Sequence, residues 1–117
     1  MAVELTFCVV NTEQRELLVR CLDAIASERE RLAFATEVLV LDNASQDGSV
    51  DVARRHPVTT EVIALGERRG KAANDSALLQ RASGRFCLLL NEDSELEPGA
   101  TAALHAALDA DEQAGAA

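Results

Sequence analysis

The chain has 117 residues, a length that suits one domain with a real core and leaves no room for a second. Its formal net charge of −9 argues against nucleic-acid and anionic-membrane partners, because both need Lys and Arg to neutralise phosphates. Aromatic residues make up 3% of the chain, with neither Trp nor Tyr, so stacking of a nucleobase on an aromatic ring is not expected.

The apolar runs alternate with helical patterns along the whole chain. Strands are predicted at residues 3–10, 38–41, 60–65 and 85–90. A helical pattern follows each strand: one ends near residue 28, a short one ends near residue 56, one covers 71–82 and one starts near 98. Residues 109–117 form an acidic tail of small residues that is expected to fray.

Single residues are expected to define the helix ends. Asn11 or Thr12 is predicted to cap the first helix, and Ser45 is predicted to cap the second. Gly84 stands where a glycine C-cap would end the third helix.

This order of elements predicts an α/β fold, with residues 1–117 as one domain. We expect an open parallel sheet of about four strands with helices on both faces, because the strands are apolar without alternation. Right-handed crossovers then place the carboxyl ends of all strands at one edge of the sheet. The polar residues that follow three of the strands are Asn11, Glu13, Asp42, Asn43, Asn91, Asp93 and Glu95.

A ligand that carries phosphates would suit this edge. Asp42 stands where an acid accepts hydrogen bonds from a ribose or a base, or alternatively makes an ordinary turn. Asp93 and Glu95 offer carboxylates to Mg²⁺ or Mn²⁺, which needs few protein ligands when a diphosphate supplies the others. The alternative for this stretch is a solvated acidic loop before the last helix.

Other motifs are weaker. The loop with Arg68, Arg69 and Lys71 would meet phosphates, or it is a solvated basic turn. Its two glycines are spaced one residue too short for a phosphate-binding loop of the Walker type, and no Gly-x-Gly-x-x-Gly occurs. His56 and His105 show no partner in the sequence, so no catalytic histidine is assigned.

The three cysteines, Cys8, Cys21 and Cys87, are widely spaced in apolar surroundings. This spacing fits neither a zinc site nor a disulfide framework, and it predicts buried free thiols. The sequence contains no signal peptide and no apolar run long enough to span a membrane, so a cytoplasmic location is expected.

Four segments resemble the family 2 glycosyltransferases, inverting enzymes of the GT-A fold, and their rhamnosyltransferase-like branch most of all. The more specific segments are EVLVLDNASQDGS at 37–49 and GRFCLLLNEDSELEPGA at 84–100. The other two are VVN with RELLVRCL between residues 9 and 22, and GKAA at 70–73. The resemblance covers nearly the whole chain.

The resemblance implies the Rossmann-like, nucleotide-binding half of a GT-A fold. It implies that Asp42 contacts the base or ribose of a nucleotide-diphosphate sugar and that Asp93 holds Mg²⁺ or Mn²⁺ across the diphosphate. Glu95 is the second candidate metal ligand. The other residues expected at the nucleotide sugar are Asn11, Glu13, Asn43, Lys71 and Asn91.

The chain departs from the family pattern in several places. Asn91 stands where many members carry the first aspartate of Asp-x-Asp, and Thr12 replaces an aromatic residue. Asp75 and Ser76 replace an amide pair in the third helix.

Family members also continue beyond this length, and the additional part supplies the acceptor site and the catalytic base. No catalytic base is identifiable here, so the catalytic residue is unknown. Transfer is expected only if a partner protein or a second copy completes the site at the open edge of the sheet. The alternatives are a non-catalytic homologue that binds nucleotide or a partner, and a phospho-receiver domain, which the polar residues after the first strand do not fit.

Overall fold

The computed structural model describes residues 2–116 and shows the alternating order of strands and helices that the sequence predicts. The strands are β1 (Leu5–Asn11), β2 (Thr36–Asp42), β3 (Glu61–Ala64) and β4 (Phe86–Asn91). The helices are α1 (Arg15–Arg29), α2 (Ser49–Arg55), α3 (Lys71–Arg81) and α4 (Ala100–Ala116).

The strands form one sheet in the order β3-β2-β1-β4, and all three pairings are parallel. One apolar cluster joins one face of the sheet to α1, with Phe7, Leu22 and Val40 fully buried. A second cluster joins the other face to α3 and includes the buried Leu39 and Leu78. The predicted α/β fold, with a parallel sheet of four strands and helices on both faces, is therefore confirmed.

The edge strand β4 differs from the central strands. Its residues alternate between partly buried and exposed, and Leu89 keeps 40% of its surface exposed. The cause is that α3 packs mainly over β1 and β2 and leaves one face of β4 uncovered. The prediction of buried thiols is therefore wrong for Cys87, which is exposed, and right for Cys8 and Cys21.

The first two helices do not begin at the predicted caps. Asn11 is the last residue of β1, and α1 begins at Arg15, whose backbone N–H donates to Asp47 Oδ2 at 3.0 Å. The second helix begins at Ser49 after a left-handed Gly48 with φ of 88°. Ser45 caps no helix, and its hydroxyl oxygen instead accepts from the Glu13 N–H at 2.8 Å.

Gly84 is not the C-cap of α3, which ends at Arg81. Its N–H donates to Thr6 Oγ1 at 2.9 Å, and a Cβ built at this position would lie 2.6 Å from both Thr6 N and Thr6 Oγ1. The glycine is therefore needed for a close approach to β1.

The last helix continues to Ala116, so the segment expected to fray is helical up to that residue, and residue 117 lies outside the described part. Within residues 2–116, no helix combines the length and the hydropathy that a membrane span requires.

Both histidines have carboxylate partners, which the sequence did not reveal. His56 Nε2 lies 2.8 Å from Asp23 Oδ1, and His105 Nε2 lies 2.7 Å from Glu4 Oε2. Glu4 precedes β1, so this second pair is at the amino edge of the sheet, away from the predicted site.

Candidate functional site

The polar residues that follow three strands meet at the carboxyl edge of the sheet, as the sequence predicts. Asn11 is the register partner of Asp42 on β2, and its neighbour Val10 is the register partner of Asn91 on β4. The Glu92 N–H also donates to the Val10 carbonyl at 3.1 Å, which fixes the start of the acidic loop beside β1. The strand order thus brings the amide and carboxylate groups of three separate segments together.

Asp42 is the buried centre of this edge, with 1% of its surface exposed. One carboxylate oxygen accepts from Asn11 Nδ2 at 3.0 Å, and the other accepts from the Ser45 N–H at 2.8 Å. These are the contacts expected of the alternative interpretation, a turn residue. A contact between Asp42 and a nucleotide stays a prediction.

The loops after β1 and β2 are joined to each other by Glu13. Its carboxylate accepts from the Gln46 N–H at 2.9 Å, and its own N–H donates to Ser45 Oγ. Glu13 and Ala44 both have left-handed backbone conformations, with φ of 52° and 57°. Such conformations are unfavourable for residues with a Cβ and are concentrated at functional sites.

The basic loop, residues 66–70, is hydrogen-bonded to the same edge of the sheet. Arg68 donates to Glu13 Oε2 at 2.8 Å, and the backbone of Arg69 bonds to both atoms of the Asn43 side-chain amide. Lys71 begins α3 with a largely exposed side chain that donates to Asp75 Oδ2, one turn further along the helix, at 2.9 Å. The positive charges therefore stand beside the carboxyl ends of β1 and β2.

Asn74 is a residue of this site that the sequence analysis missed. It is 2% exposed, its Nδ2 donates to the Arg69 carbonyl at 3.3 Å, and its Oδ1 has no hydrogen-bond partner among the described residues. A signal was present, because Asn74 precedes the buried Leu78 by four residues and so lies on the same face of α3.

The acidic loop after β4 keeps its candidate metal ligands, Asp93 and Glu95, exposed, and Asn91 at the end of β4 is exposed as well. Burial raises the pKa of Glu92, and the neighbouring charge of Asp93 raises it further. In the part of the chain that the structure describes, no group of three or more His, Cys, Asp or Glu side chains is arranged to hold a metal ion.

Solved structures share this arrangement of strands and helices. S. aureus TarS 1-349, crystallised in complex with UDP-GlcNAc, is 19% identical with a TM-score of 0.77, over 92% of this chain and 31% of TarS 1-349. The mannosyltransferase PcManGT from Pyrobaculum calidifontis, in complex with GDP-Man and Mn²⁺, is 28% identical with a TM-score of 0.72, over 92% of this chain and 32% of that chain. The fold is that of the GT-A glycosyltransferases.

Sequence comparison agrees. Glycosyltransferase AglE of Haloferax volcanii is 30% identical over 83 residues, which are 68% of this chain and 27% of AglE. The family model for Glycosyl transferase family 2 matches residues 6–117. The chain therefore belongs to glycosyl transferase family 2, and it spans about a quarter of AglE and about a third of these two solved chains.

Proposed function

We propose that this chain binds a nucleotide-diphosphate sugar together with Mg²⁺ or Mn²⁺, as the donor-binding part of a family 2 glycosyltransferase. The observation that carries the proposal is the carboxyl edge of the sheet, where a fastened basic loop and an exposed acidic loop flank the Asn11–Asp42 pair. Two structures of similar fold add support, because PcManGT is described with GDP-Man and Mn²⁺ and TarS with UDP-GlcNAc.

The metal ion is assigned to Asp93, with Glu95 as a second ligand. Both carboxylates are exposed, and hard oxygen ligands are those that Mg²⁺ and Mn²⁺ prefer. The ion would neutralise the diphosphate and stabilise it as a leaving group. Two carboxylates fit this role because a diphosphate and water complete the coordination.

The remaining site residues divide into two roles. Lys71 and Asn91 have exposed side chains and are proposed to contact the nucleotide sugar. Asn11, Glu13, Asp42 and Asn43 each hydrogen-bond to another strand or loop of this edge, so these four residues are proposed to shape the surface that the nucleotide sugar meets. In ligand-binding sites, the few side chains that contact the ligand are usually held in place by supporting residues on rigid helices and strands.

Sugar transfer is proposed to require a further protein segment along the free edge of β4, from a partner or a second copy. The support is that, within residues 2–116, β4 pairs only with β1 and presents Leu89 and Cys87 beside that edge. The second candidate function is a nucleotide-binding module without transfer. It is favoured by the hydrogen-bonded state of Glu13 and Asp42, which leaves neither carboxylate free to act as a base. The cytoplasmic location stays a prediction.

Thermal unfolding with a panel of nucleoside diphosphates and nucleotide sugars, each with and without Mn²⁺, tests the binding proposal. A ligand at about 100 times its dissociation constant stabilises the folded state by about 2.7 kcal/mol. A domain of this length then unfolds several degrees higher. A shift that needs both Mn²⁺ and one nucleotide supports the proposal. The absence of a shift with every pair overturns it.

Assay of the chain alone and with a candidate partner separates the two functions. Sedimentation of the chain alone reports whether it forms a dimer, and loss of that dimer on Leu89→Lys would assign the second copy to β4. Hydrolysis or transfer of the identified nucleotide sugar by either form supports a glycosyltransferase. Metal-dependent binding without turnover in both forms supports the binding module.

A further inference from the structure

Glu28 on α1 is a buried carboxylate that the site described above does not include. It is 1% exposed, although it stands one residue before the end of its helix. Glu28 Oε2 accepts from the Gly99 N–H and Oε1 accepts from the Thr101 N–H, both at 2.9 Å. Both donors lie at the start of α4, where unpaired backbone N–H groups favour an anion.

The contacts of Glu28 fix one end of the acidic loop. This loop, residues 92–99, follows β4 directly, contains no helix or strand and ends at Gly99, whose backbone is left-handed with φ of 84°. Four of its residues are carboxylates, namely Glu92, Asp93, Glu95 and Glu97. Their mutual repulsion favours a spread loop, so an ordered loop needs attachments to the rest of the molecule.

The other end of the loop is held from the same helix. Cys21 Sγ lies 3.9 Å from the Asn91 carbonyl oxygen, a weak contact for a thiol donor. Cys21 and Glu28 are seven residues apart on one face of α1, about 10 Å along the helix axis. Within the loop, Leu96 packs against the apolar cluster that includes Cys21, Leu22 and Ile25 of α1. One face of α1 thus contacts the backbone at both ends of the loop.

We propose that Glu28 is a positioning residue for the acidic loop that carries the candidate metal ligands. It acts through Gly99 and Thr101, and among the described residues no hydrogen bond or ion pair joins it to Asp93 or Glu95. The loop-holding role stands on these contacts, while its consequence for metal affinity rests on the function proposed above. Loss of a group that bonds directly to a metal ligand commonly weakens metal binding 10- to 100-fold, as a rough range, and Glu28 acts one step further out, so an effect at the lower end of that range is expected.

The variant Glu28→Gln tests the loop-holding role because it keeps the volume of the side chain. An amide offers one oxygen, so its NH₂ group would face the second backbone N–H and one hydrogen bond is lost. The measurement is hydrogen exchange of the ligand-free protein. We expect the hydrogen-bonded amides within residues 92–101 to exchange about tenfold faster, while those of β1 keep their rates.

The matched control is Glu37→Gln at the opposite end of the sheet. Glu37 also accepts from a backbone N–H, that of Ser83 at 2.6 Å, and from Thr6 Oγ1 at 2.7 Å. This control is expected to leave exchange in 92–101 unchanged. Unchanged exchange in Glu28→Gln, or equal acceleration by both variants, overturns the proposal, since the second result reports a general loosening.

The consequence for the metal is measured with Mn²⁺ and inorganic pyrophosphate as probes. Free Mn²⁺ is followed by electron paramagnetic resonance in the parent and in both variants. We expect the Mn²⁺ dissociation constant to rise about tenfold in Glu28→Gln and to stay unchanged in Glu37→Gln. A parent that binds no Mn²⁺ would contradict the proposed function itself. A parent and a Glu28→Gln variant that bind Mn²⁺ equally would contradict only the positioning role.

Discussion

Asn43 holds the backbone of Arg69 with both atoms of its side-chain amide. Asn43 Oδ1 accepts from the Arg69 N–H at 2.8 Å, and Nδ2 donates to the Arg69 carbonyl at 3.1 Å. The asparagine follows β2 directly and is 9% exposed, so water has little access to compete for these bonds. The basic loop therefore takes its position from a residue 26 positions earlier in the chain.

Replacing Asn43 by alanine should release this loop. The loss of two shielded hydrogen bonds is expected to lower the free energy of unfolding by about 2 kcal/mol. Affinity for the nucleoside diphosphate identified by thermal unfolding should fall as well, because the loop's positive charges are no longer held at the site. Urea unfolding and calorimetric titration measure the two effects. The control is Gln46→Ala, a change of an exposed amide in the neighbouring loop. A variant as stable as the parent would contradict the assigned role of Asn43.

Asp42 is expected to stabilise the folded protein by accepting hydrogen bonds from Asn11 and Ser45. Asp42→Ala leaves the Asn11 amide and the Ser45 N–H without their acceptor in a buried place, which should cost about 3 kcal/mol of stability. Asp42→Asn keeps one acceptor and should cost less. Urea unfolding gives the stability, and nucleotide titration of the folded variant gives its affinity. Preserved stability of Asp42→Asn with lost nucleotide binding would instead establish the direct contact with ribose or base.

The fold was predictable because it depends on patterns within short segments. Val38 to Leu41 is apolar at every position, and a strand of this kind is buried on both faces of a parallel sheet. The convergence of Asn11, Asp42 and Asn91 followed from the same reasoning, since parallel strands end at one edge.

The helix caps and the supporting residues were not predictable in this way, because their partners are distant in the chain. The acceptor for the Arg15 N–H is Asp47, 32 residues later, and Glu28 accepts from residues more than 70 positions away. Local propensity selects any nearby Asn, Thr or Ser as a cap, but tertiary contacts decide which group is used. Gly84 shows the same limit. In the sequence it predicts the end of a helix, but in the structure a glycine is needed there because Thr6 leaves no space for a Cβ.

Asp93→Ala should abolish metal-dependent nucleotide binding and leave the fold intact. The side chain is exposed, so the free energy of unfolding is expected to change by less than about 0.5 kcal/mol. The measurement is the Mn²⁺-dependent shift in unfolding temperature with the identified nucleotide. Glu97→Ala, which removes another exposed carboxylate of the same loop, should keep that shift. Equal shifts in the parent and Asp93→Ala would show that the metal assignment is wrong.

Glu28 should make stability depend on pH in the acidic range. Burial raises the pKa of Glu28, but hydrogen bonds from the Thr101 and Gly99 backbone outweigh it, so the pKa lies below its ordinary value of 4.5. A lowered pKa means that the carboxylate stabilises the folded state fully above about pH 4.5 and loses this effect as the pH falls through the folded-state value.

The parent should therefore be more stable than Glu28→Gln at neutral pH, by about 2 kcal/mol, and the difference should shrink below the ordinary pKa. Urea unfolding of both proteins between neutral and strongly acidic pH measures this difference. Glu28→Gln removes the titrating group, so other carboxylates contribute equally to both curves. A difference that is constant, or that grows as the pH falls, would contradict the assigned ionisation.

Gly84→Ala should destabilise the protein because the added methyl group has no space. Its Cβ would lie 2.6 Å from Thr6 N and Oγ1, and the backbone nitrogen belongs to the central strand β1 and cannot give way cheaply. The expected loss in the free energy of unfolding is about 2 kcal/mol or more, measured by urea unfolding.

Gly66→Ala is the matched control, since no atom lies within 4 Å of its Cβ and its backbone is not left-handed. That change should leave the free energy of unfolding unaltered or raise it by about 0.5 kcal/mol, because alanine lowers the conformational entropy of the unfolded chain. Equal stability of the two variants would show that Gly84 is not required for the contact between β1 and the turn before β4.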